Sequence, residues 1–218
     1  MRTMTAAPMG LRERKKLATR RLIAETARRL FAERGFDRVT VAEIARAAEV
    51  SEKTVFNYFA TKEDLVYWQL EAFEAQLLSA ISEREPGESA LAAFSRFVLV
   101  QRGLIVEKDP ERRQELLAVT RVIAESPALV VREQQIFGRF TESLAVLLAE
   151  ETGAEPGDIA PRVAANAMMG VHRALVDFAR RRILEGAKPP GLPREVRAQG
   201  ERALALLEDG LGGYAVRG

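Results

Sequence analysis

The 218-residue sequence predicts an all-helical protein, with a small N-terminal domain of three helices followed by a C-terminal helical bundle. Ala, Leu, Arg and Glu dominate the chain, apolar residues recur at helical spacing, and the alternation typical of strands is scarce. Clusters of Gly and Pro separate the helical stretches. The predicted boundaries are a flexible basic tail at 1–16, the N-terminal domain at 17–65 and the bundle at 66–218.

The first two helices are predicted from an apolar stripe and a capping motif. The first runs over 17–34 and ends at Gly35, since glycine often follows a helix C-terminus. Thr40 and Glu43 have the spacing of a capping box, which opens the second helix. The stripe of the first helix contains Leu22, Ile23, Ala27, Leu30 and Phe31.

Two further caps stand close together in the stretch VSEKTVFNYFATKEDL. Ser51 caps a third helix of at most two turns, which is too short to be stable alone. Thr61 with Asp64 caps a longer helix, predicted over 62–82. The bundle then follows in five helical stretches, and the C-terminal GLGGYAVRG is expected to fray. These stretches are 89–107, 110–124, 127–152, 158–185 and 194–211.

Composition excludes several kinds of protein. The chain has no cysteine, which excludes disulfides and thiolate metal sites, and its single histidine is His172. No P-loop, dinucleotide-binding or nucleophile-elbow motif is present, so neither an enzyme nor a cofactor is expected. No apolar run is long enough for a membrane span and no signal peptide is visible, so a cytoplasmic protein is expected.

Charge is distributed unevenly along the chain. Residues 1–68 hold 14 Lys and Arg against 9 Asp and Glu, whereas the remainder holds 19 against 22. A basic front end is typical of a domain that meets a polyanion, although a solvated surface would have the same balance.

The third helix has two different faces. At 100° per residue, one face carries the apolar residues Val55, Phe56 and Phe59, which we expect to be buried. The hydrogen-bonding residues all fall on the other side, which is left free for contacts. They are Lys53, Thr54, Asn57 and Tyr58.

Three short helices with a tight turn before the third are typical of a helix-turn-helix unit, whose third helix enters the DNA major groove. Lys53 is suited to guanine or phosphate, Asn57 to adenine, and Thr54 to a thymine methyl or phosphate. Contacts to the DNA backbone are assigned to Tyr58, Lys62 and the helix N-termini at Thr40 and Thr61.

Residues 22–65 closely resemble the DNA-binding domain of the TetR family of transcriptional regulators. The resemblance lies in four motifs. They are A-x-x-L-F-x-x-x-G-F from Ala27, T-V-x-x-I-A from Thr40, V-S-x-x-T from Val50 and Y-F-x-x-K-E-x-L from Tyr58. The stretch 112–135 faintly resembles C-terminal domains of actinobacterial regulators that answer bulky apolar or acyl ligands.

By this resemblance, Thr40, Ser51, Thr54, Tyr58 and Lys62 match phosphate-contacting positions of the family, and Lys53, Thr54 and Asn57 match positions that often reach bases. Two positions depart from the pattern. Phe56 stands where the family commonly has Tyr, and Tyr58 stands where it has His. Either the phosphate contact of the missing hydroxyl is absent, or Tyr58 supplies it.

The resemblance also implies a C-terminal domain that binds a small molecule and forms a homodimer. The last two long helices are the best dimer candidates. A pocket between the bundle helices is expected to be mostly apolar with a few polar groups. Its candidate residues are Phe97, Gln101, Arg121, Phe137, Phe140, Asn166, Met169 and Arg173.

The expected function is a ligand-responsive regulator, most simply a repressor that binds a palindromic operator as a dimer and is released by an apolar or acyl-type effector. Release would follow from movement of the helix at 62–82, shared by both domains. The segment LRERKK at 11–16 would be a minor-groove arm or a solvated tail. Two alternatives are a constitutive DNA-binding protein without an effector and an enzyme that uses His172.

Overall fold

The computed structural model describes residues 10–211, 213, 215 and 216, apart from the side chains of residues 104 and 211. In this part of the chain all regular structure is helical except for one isolated bridge, which confirms the predicted all-α fold. The chain divides into two compact units, Met1–Trp68 and Gln69–Gly218, which follow each other directly in the sequence. We call them the N-terminal unit and the C-terminal unit.

The described part of the N-terminal unit, residues 10–68, contains three α-helices and one 3₁₀ helix. Its core is made where the apolar stripe of the first helix meets the two short helices that follow. The helices are α1 (Leu11–Arg34), α2 (Val41–Ala47), α3 (Glu52–Tyr58) and the 3₁₀ helix Glu63–Leu65. The residues with at most 2% exposed surface include Ile23, Ala27, Phe31, Ile44, Val55, Phe59 and Leu65.

Helix α1 begins earlier than the sequence predicts. It starts at Leu11, so the segment 11–16, assigned above to a flexible tail, is helical. The cause is local, because this segment holds only good helix formers and Gly10 is the last residue before them. Residues 1–9 of the predicted tail lie outside the described residues. Leu22, placed on the apolar stripe, is 50% exposed.

The turn between α2 and α3 is tight because one residue adopts a left-handed conformation. Glu49 has φ +55°, a value that non-glycine residues seldom adopt. The amide of Val50 then donates to the carbonyl of Ala45 at 2.9 Å, which closes the turn directly behind α2.

The predicted continuous helix at 62–82 is wrong. After the 3₁₀ turn Glu63–Leu65 the chain makes turns, and the α-helix α4 (Leu70–Ser82) begins eight residues later than predicted. Leu65, Val66 and Tyr67 are all buried. Three successive residues spread over about 200° of a helix surface, so a helix covered on one side would leave one of them exposed.

The C-terminal unit is a bundle of six α-helices among the described residues. They are α4, α5 (Ala90–Val98), α6 (Pro110–Glu125), α7 (Pro127–Thr152), α8 (Ala160–Leu184) and α9 (Gly191–Leu211). The helix predicted over 89–107 ends at Val98, and only a 3₁₀ turn, Gly103–Ile105, follows in that stretch. Beyond this end the guanidinium of Arg102 donates to the carbonyls of Phe97 and Val100, which satisfies acceptors that the helix leaves without a partner.

Close packing and ion pairs fix the long helices of the C-terminal unit. A partly buried ion pair joins α8 to α7, with Arg180 Nη2 lying 2.6 Å from Glu133 Oε1. Gly200 allows α9 to approach its neighbours, because a Cβ at this position would lie 2.7 Å from Leu99 Cδ2 and 3.3 Å from Leu175 Cδ1.

The C-terminal segment is partly held in place, in contrast to the expected fraying. The buried guanidinium of Arg84 donates to the carbonyl of Ala215 at 2.7 Å and forms an ion pair with Glu151. Ser89 and Val216 form an antiparallel bridge. Among the described residues, no helix combines the length and the apolar character that crossing a membrane requires.

Candidate nucleic-acid interface and aromatic cluster

Helix α3 is fixed at its start by a cap and at its back by two buried side chains. Ser51 Oγ accepts the amide of Thr54 at 3.0 Å and lies 2.8 Å from the Thr54 hydroxyl. Val55 and Phe59 are 1% and 2% exposed. Packing therefore stabilises a helix that would be marginal alone, and its outer surface is not needed for the core.

The outer surface of α3 carries the side chains predicted for it and one more. Lys53 and Asn57 are exposed, while Thr54 and Tyr58 are half-buried. Phe56, predicted to be buried, is 51% exposed. The core contacts of α3 are made by Val55 and Phe59, and Phe56 lies about 60° from Lys53 around the helix. An apolar ring therefore joins the polar side chains, where it can contact a thymine methyl or a sugar.

The start of α2 is a complete capping box. Thr40 Oγ1 accepts the amide of Glu43 at 3.2 Å, and Glu43 Oε2 accepts the amide of Thr40 at 2.8 Å. Arg34 donates to the other carboxylate oxygen at 2.8 Å. The backbone hydrogen bond from Thr40, followed by the bonds from Arg34 and the Thr40 hydroxyl, lowers the pKa of Glu43 to about 2. Thr40 therefore has a structural role whether or not it meets a phosphate.

Thr61 and Lys62 follow α3 directly. Thr61 and Asp64 exchange hydrogen bonds, which close the 3₁₀ turn. The Lys62 ammonium lies 4.1 Å from the centre of the Phe36 ring, a cation–π distance. Burial lowers the pKa of Lys62, and Asp37 and other nearby carboxylates oppose this shift. A ring beneath the ammonium leaves N–H groups to donate to an anion, so the contact with Phe36 is compatible with phosphate binding.

The structure therefore gathers the eight predicted DNA-binding residues in one small unit. Four lie on α3, and the others lie at the starts of helices or in the turn after α3. The sequence analysis did not identify Arg20 as a neighbour of α3. Its guanidinium carbon lies 5.4 Å from the centre of the Phe59 ring, so this part of α1 lies beside the end of α3. Nothing in the local sequence signals this contact, because it joins residues that are far apart in the chain.

Aromatic rings from four helices meet inside the C-terminal unit. We call this group the aromatic cluster. Phe73 is at its centre, with ring centroids 4.9 Å from His172, 5.3 Å from Phe97 and 6.1 Å from Phe140. Phe137 lies 5.4 Å from His172 and 6.0 Å from Phe140. The predicted Phe97, Phe137 and Phe140 therefore do come together, and Phe73 was missed because α4 was treated only as a connection.

His172 has an unusual electrostatic environment. Its pKa is lowered to about 4 by burial first, and then by the positive charges of Arg102 and Arg173. The imidazole is therefore neutral near pH 7. It stacks on Phe73 and meets Phe137 edge to face, like another aromatic ring.

The remaining pocket candidates divide into three groups. Met169 is fully buried and Arg173 is half-buried near the cluster. The Gln101 side chain donates to the carbonyl of Pro193 at the start of α9. Arg121 and Asn166 are exposed, and the Asn166 amide donates to a backbone carbonyl of its own helix, so neither lines the aromatic cluster.

An open groove lies at the end of α5. Its volume is about 640 Å³, and its walls combine apolar side chains with two arginines. The lining residues are Arg96, Leu99, Val100, Gln101, Val106 and Arg197. Among the described residues, no group of three or more His, Asp or Glu side chains is arranged to hold a metal ion.

A helix-turn-helix unit joined to a helical bundle with an apolar interior defines a class of protein, the one-component DNA-binding regulators. Comparison with known proteins agrees. Residues 23–67 match the family model described as bacterial regulatory proteins, tetR family. Residues 91–211 match the model of the MftR C-terminal domain.

Individual relatives lead to the same family. TcmR of Streptomyces glaucescens, a helix-turn-helix transcriptional regulator, is 31% identical over 68% of this chain and 67% of its own length. MftR of Mycobacterium tuberculosis, named as a transcriptional regulator of mycofactocin biosynthesis, is 30% identical over 72% of this chain and 78% of its own. The chain belongs to the TetR family of transcriptional regulators, with a C-terminal domain of the MftR type.

Solved structures support the fold. Native NalD of Pseudomonas aeruginosa, described as the secondary repressor of a multidrug efflux pump, superposes with a TM-score of 0.53 at 22% identity. The alignment covers 86% of this chain and 97% of that one.

Proposed function

We propose that this chain is a ligand-responsive repressor that binds a palindromic operator as a homodimer and is released by an apolar or acyl-type effector. One observation carries the DNA-binding part of the proposal. Helix α3 is held by a cap and by buried Val55 and Phe59, and it offers a polar outer surface that the core does not use. Family membership supports the same conclusion.

On this proposal α3 enters the major groove. Lys53 and Asn57 are exposed and have the donors that guanine and adenine edges recognise, so they set sequence preference. Ser51, Thr54 and Tyr58 flank them, and together with Thr40, Thr61 and Lys62 they position the unit on the phosphates. Because bacterial chromosomal DNA is in the cytoplasm, the protein would act there.

Dimerisation through α8 and α9 is supported by apolar residues that the monomer leaves exposed. Val163 and Leu206 are 56% and 83% exposed. On α8 the small residues Ala167, Gly170 and Ala174 continue the line from Val163, which permits close approach of a second helix. Two-fold symmetry would then place two α3 helices on half-sites about 34–36 Å apart.

The aromatic cluster is the proposed effector site. It has the mostly apolar character of small-molecule sites, with neutral His172 and the nearby Arg173 as the polar groups. An apolar chain or ring system would lie among the phenylalanines, and an anionic group on the effector would meet the arginine.

Release requires the effector to act on α4. Phe73, on α4, is at the centre of the cluster, and α4 is the first helix after the N-terminal unit in the chain. An effector that separates the rings would displace Phe73 and with it α4. In the dimer this would change the separation of the two α3 helices, so the population shifts from the DNA-binding state.

The proposal is tested by selecting bound sequences from a random duplex library with the full chain. We expect enrichment of a two-fold symmetric site and a dimer on it in native mass spectrometry. A long-chain fatty acyl probe is expected to lower the affinity for that site. If no sequence is enriched, the proposed role as a sequence-specific regulator is refuted. If the chain binds an operator tightly and no apolar or acyl probe alters its affinity, the protein is a constitutive DNA-binding protein.

A further inference from the structure

The first two turns of α1 form a basic surface that the fold of the N-terminal unit does not use. Residues 10–17 are all exposed, and the first buried residue of the helix is Ile23. The N-terminus of α1 has no side-chain cap. A helical extension without packing or capping contributes little to stability, so its residues are available for another purpose.

This extension is strongly cationic. Four of the six residues at 11–16 are Lys or Arg, and only Glu13 is acidic. Within residues 10–211, no ion pair with Arg12, Arg14, Lys15 or Lys16 is found, although Arg21 and Arg29 farther along α1 each pair with a glutamate. The positive charge of the extension is therefore not neutralised within the described unit.

A stripe of three cations leads from the extension to the recognition helix. Arg12, Lys16 and Arg20 are spaced at i, i+4 and i+8, which places them along one side of α1 over roughly 12 Å. Arg20 lies over the ring of Phe59, the C-terminal cap residue of α3. The stripe therefore continues away from the end of α3, and we call it the α1 basic stripe.

Resting on the proposed function, we propose that the α1 basic stripe binds DNA phosphates beside the half-site that α3 contacts. The helical form of 11–16 decides between the possible modes of binding. An α-helix is about 10–12 Å wide with its side chains, and the minor groove is about 6 Å wide, so this segment does not enter the groove as an extended arm would. It acts by charge on the backbone and extends the footprint without adding sequence preference.

The test is the salt dependence of DNA binding by the full chain carrying Arg12→Ala and Lys16→Ala together. Both side chains are exposed, so the fold is expected to be unaffected. Each lost phosphate contact lowers the slope of log K against log salt by about 0.9, so the double variant loses about 1.8. Its affinity for the selected operator and for a random-sequence duplex should fall by the same factor.

Lys108→Ala with Arg139→Ala is the matched control, since it removes the same charge from exposed positions of the C-terminal unit. The control is expected to keep the parent slope. An unchanged slope in the α1 variant, or an equal loss in the control, overturns the inference while the proposed function stands. If the parent chain binds no DNA, the proposed function fails instead. A variant that keeps the parent slope but loses binding to anionic phospholipid vesicles would assign the stripe to a membrane surface and refute the inference.

Discussion

The two units of this protein hold their functional residues in different ways. In the N-terminal unit the hydrogen bonds that fix α2 and α3 join residues three positions apart, such as Ser51 to Thr54 and Thr40 to Glu43. In the C-terminal unit the aromatic cluster joins Phe73 to His172, on helices far apart in the chain. The proposed DNA-reading surface is thus shaped by hydrogen bonds within a short segment and held in place by the packing of Val55 and Phe59. The proposed effector site is made only of contacts between helices that are distant in the sequence.

This difference has a functional consequence. Short-range caps give α3 a fixed shape, which suits discrimination between base pairs. Rings packed in a cluster gain most of their stability from contact area rather than from directed bonds, so the cluster tolerates rearrangement around an apolar molecule. On the proposed function, rigid recognition and adaptable ligand binding would therefore occur in separate units.

The largest expected effect is in the cluster. Phe140 is 1% exposed, and Phe140→Ala should lower the free energy of unfolding by about 3–5 kcal/mol because it leaves a cavity. Urea unfolding of the C-terminal unit measures the loss. Val146→Ala is the control on the same helix, because Val146 is 56% exposed, and a change below about 0.5 kcal/mol is expected there. Equal effects at the two positions would contradict the packing described.

A smaller effect is expected from pH. Folding lowers the pKa of His172 from 6.5 to about 4, so the unfolded chain binds the extra proton between these values. The contribution of this group to stability is therefore fully present above pH 6.5 and is lost as the pH drops towards 4, by at most about 3.4 kcal/mol. His172→Phe keeps an aromatic ring and should flatten the profile. A profile with the same slope in that window would show that His172 does not titrate as described.

Two substitutions at Ser51 distinguish its role as a helix cap from a contact with DNA. Ser51→Ala removes the cap of α3 and should destabilise the N-terminal unit by about 1 kcal/mol, as measured by thermal unfolding. Ser51→Asp retains a capping oxygen and should keep the stability, but its charge repels phosphate and should weaken operator binding. If Ser51→Asp binds DNA as the parent does, Ser51 does not face the backbone.

The smallest effect concerns one phosphate contact. Lys62→Ala should lower operator affinity uniformly across sequences and reduce the salt slope by about one unit. Lys62→Arg is the control, since the charge and the position over Phe36 are kept. If Lys62→Ala leaves the salt slope unchanged, Lys62 does not contact a phosphate and its role is the cation–π contact with Phe36.

Much of the N-terminal unit was predictable because its signals are local. The capping box at Thr40, the cap at Ser51 and the burial of Val55 and Phe59 all follow from spacing over a few residues. Helical periodicity placed Phe56 on the buried face, but the core ends at Val55 and Phe59 and leaves this ring 51% exposed. Helical periodicity predicts the direction in which a side chain points from the helix axis. It does not predict how much of that face the neighbouring helices cover.

The errors elsewhere come from contacts that helical periodicity does not report. Thr61 caps only a 3₁₀ turn, and the burial of three successive residues, Leu65, Val66 and Tyr67, does not fit a helix that is covered on one side. The helix α5 stops at Val98 although no Gly or Pro stands there, and Arg102 donates to the carbonyls of Phe97 and Val100 just beyond its end. The Phe73 contacts depend on three other helices, and no local pattern identifies them.

The most direct test of the DNA-reading role of α3 is to repeat the selection from random duplexes with Lys53→Ala and Asn57→Ala combined. Both residues are exposed on α3 and outside the core, so the variant should fold as the parent does. We predict that the parent enriches a two-fold symmetric sequence, and that the variant binds DNA with the same salt slope to within about one unit but without that preference. Enrichment of the same sequence by the variant would contradict the assignment of α3 as the element that reads bases.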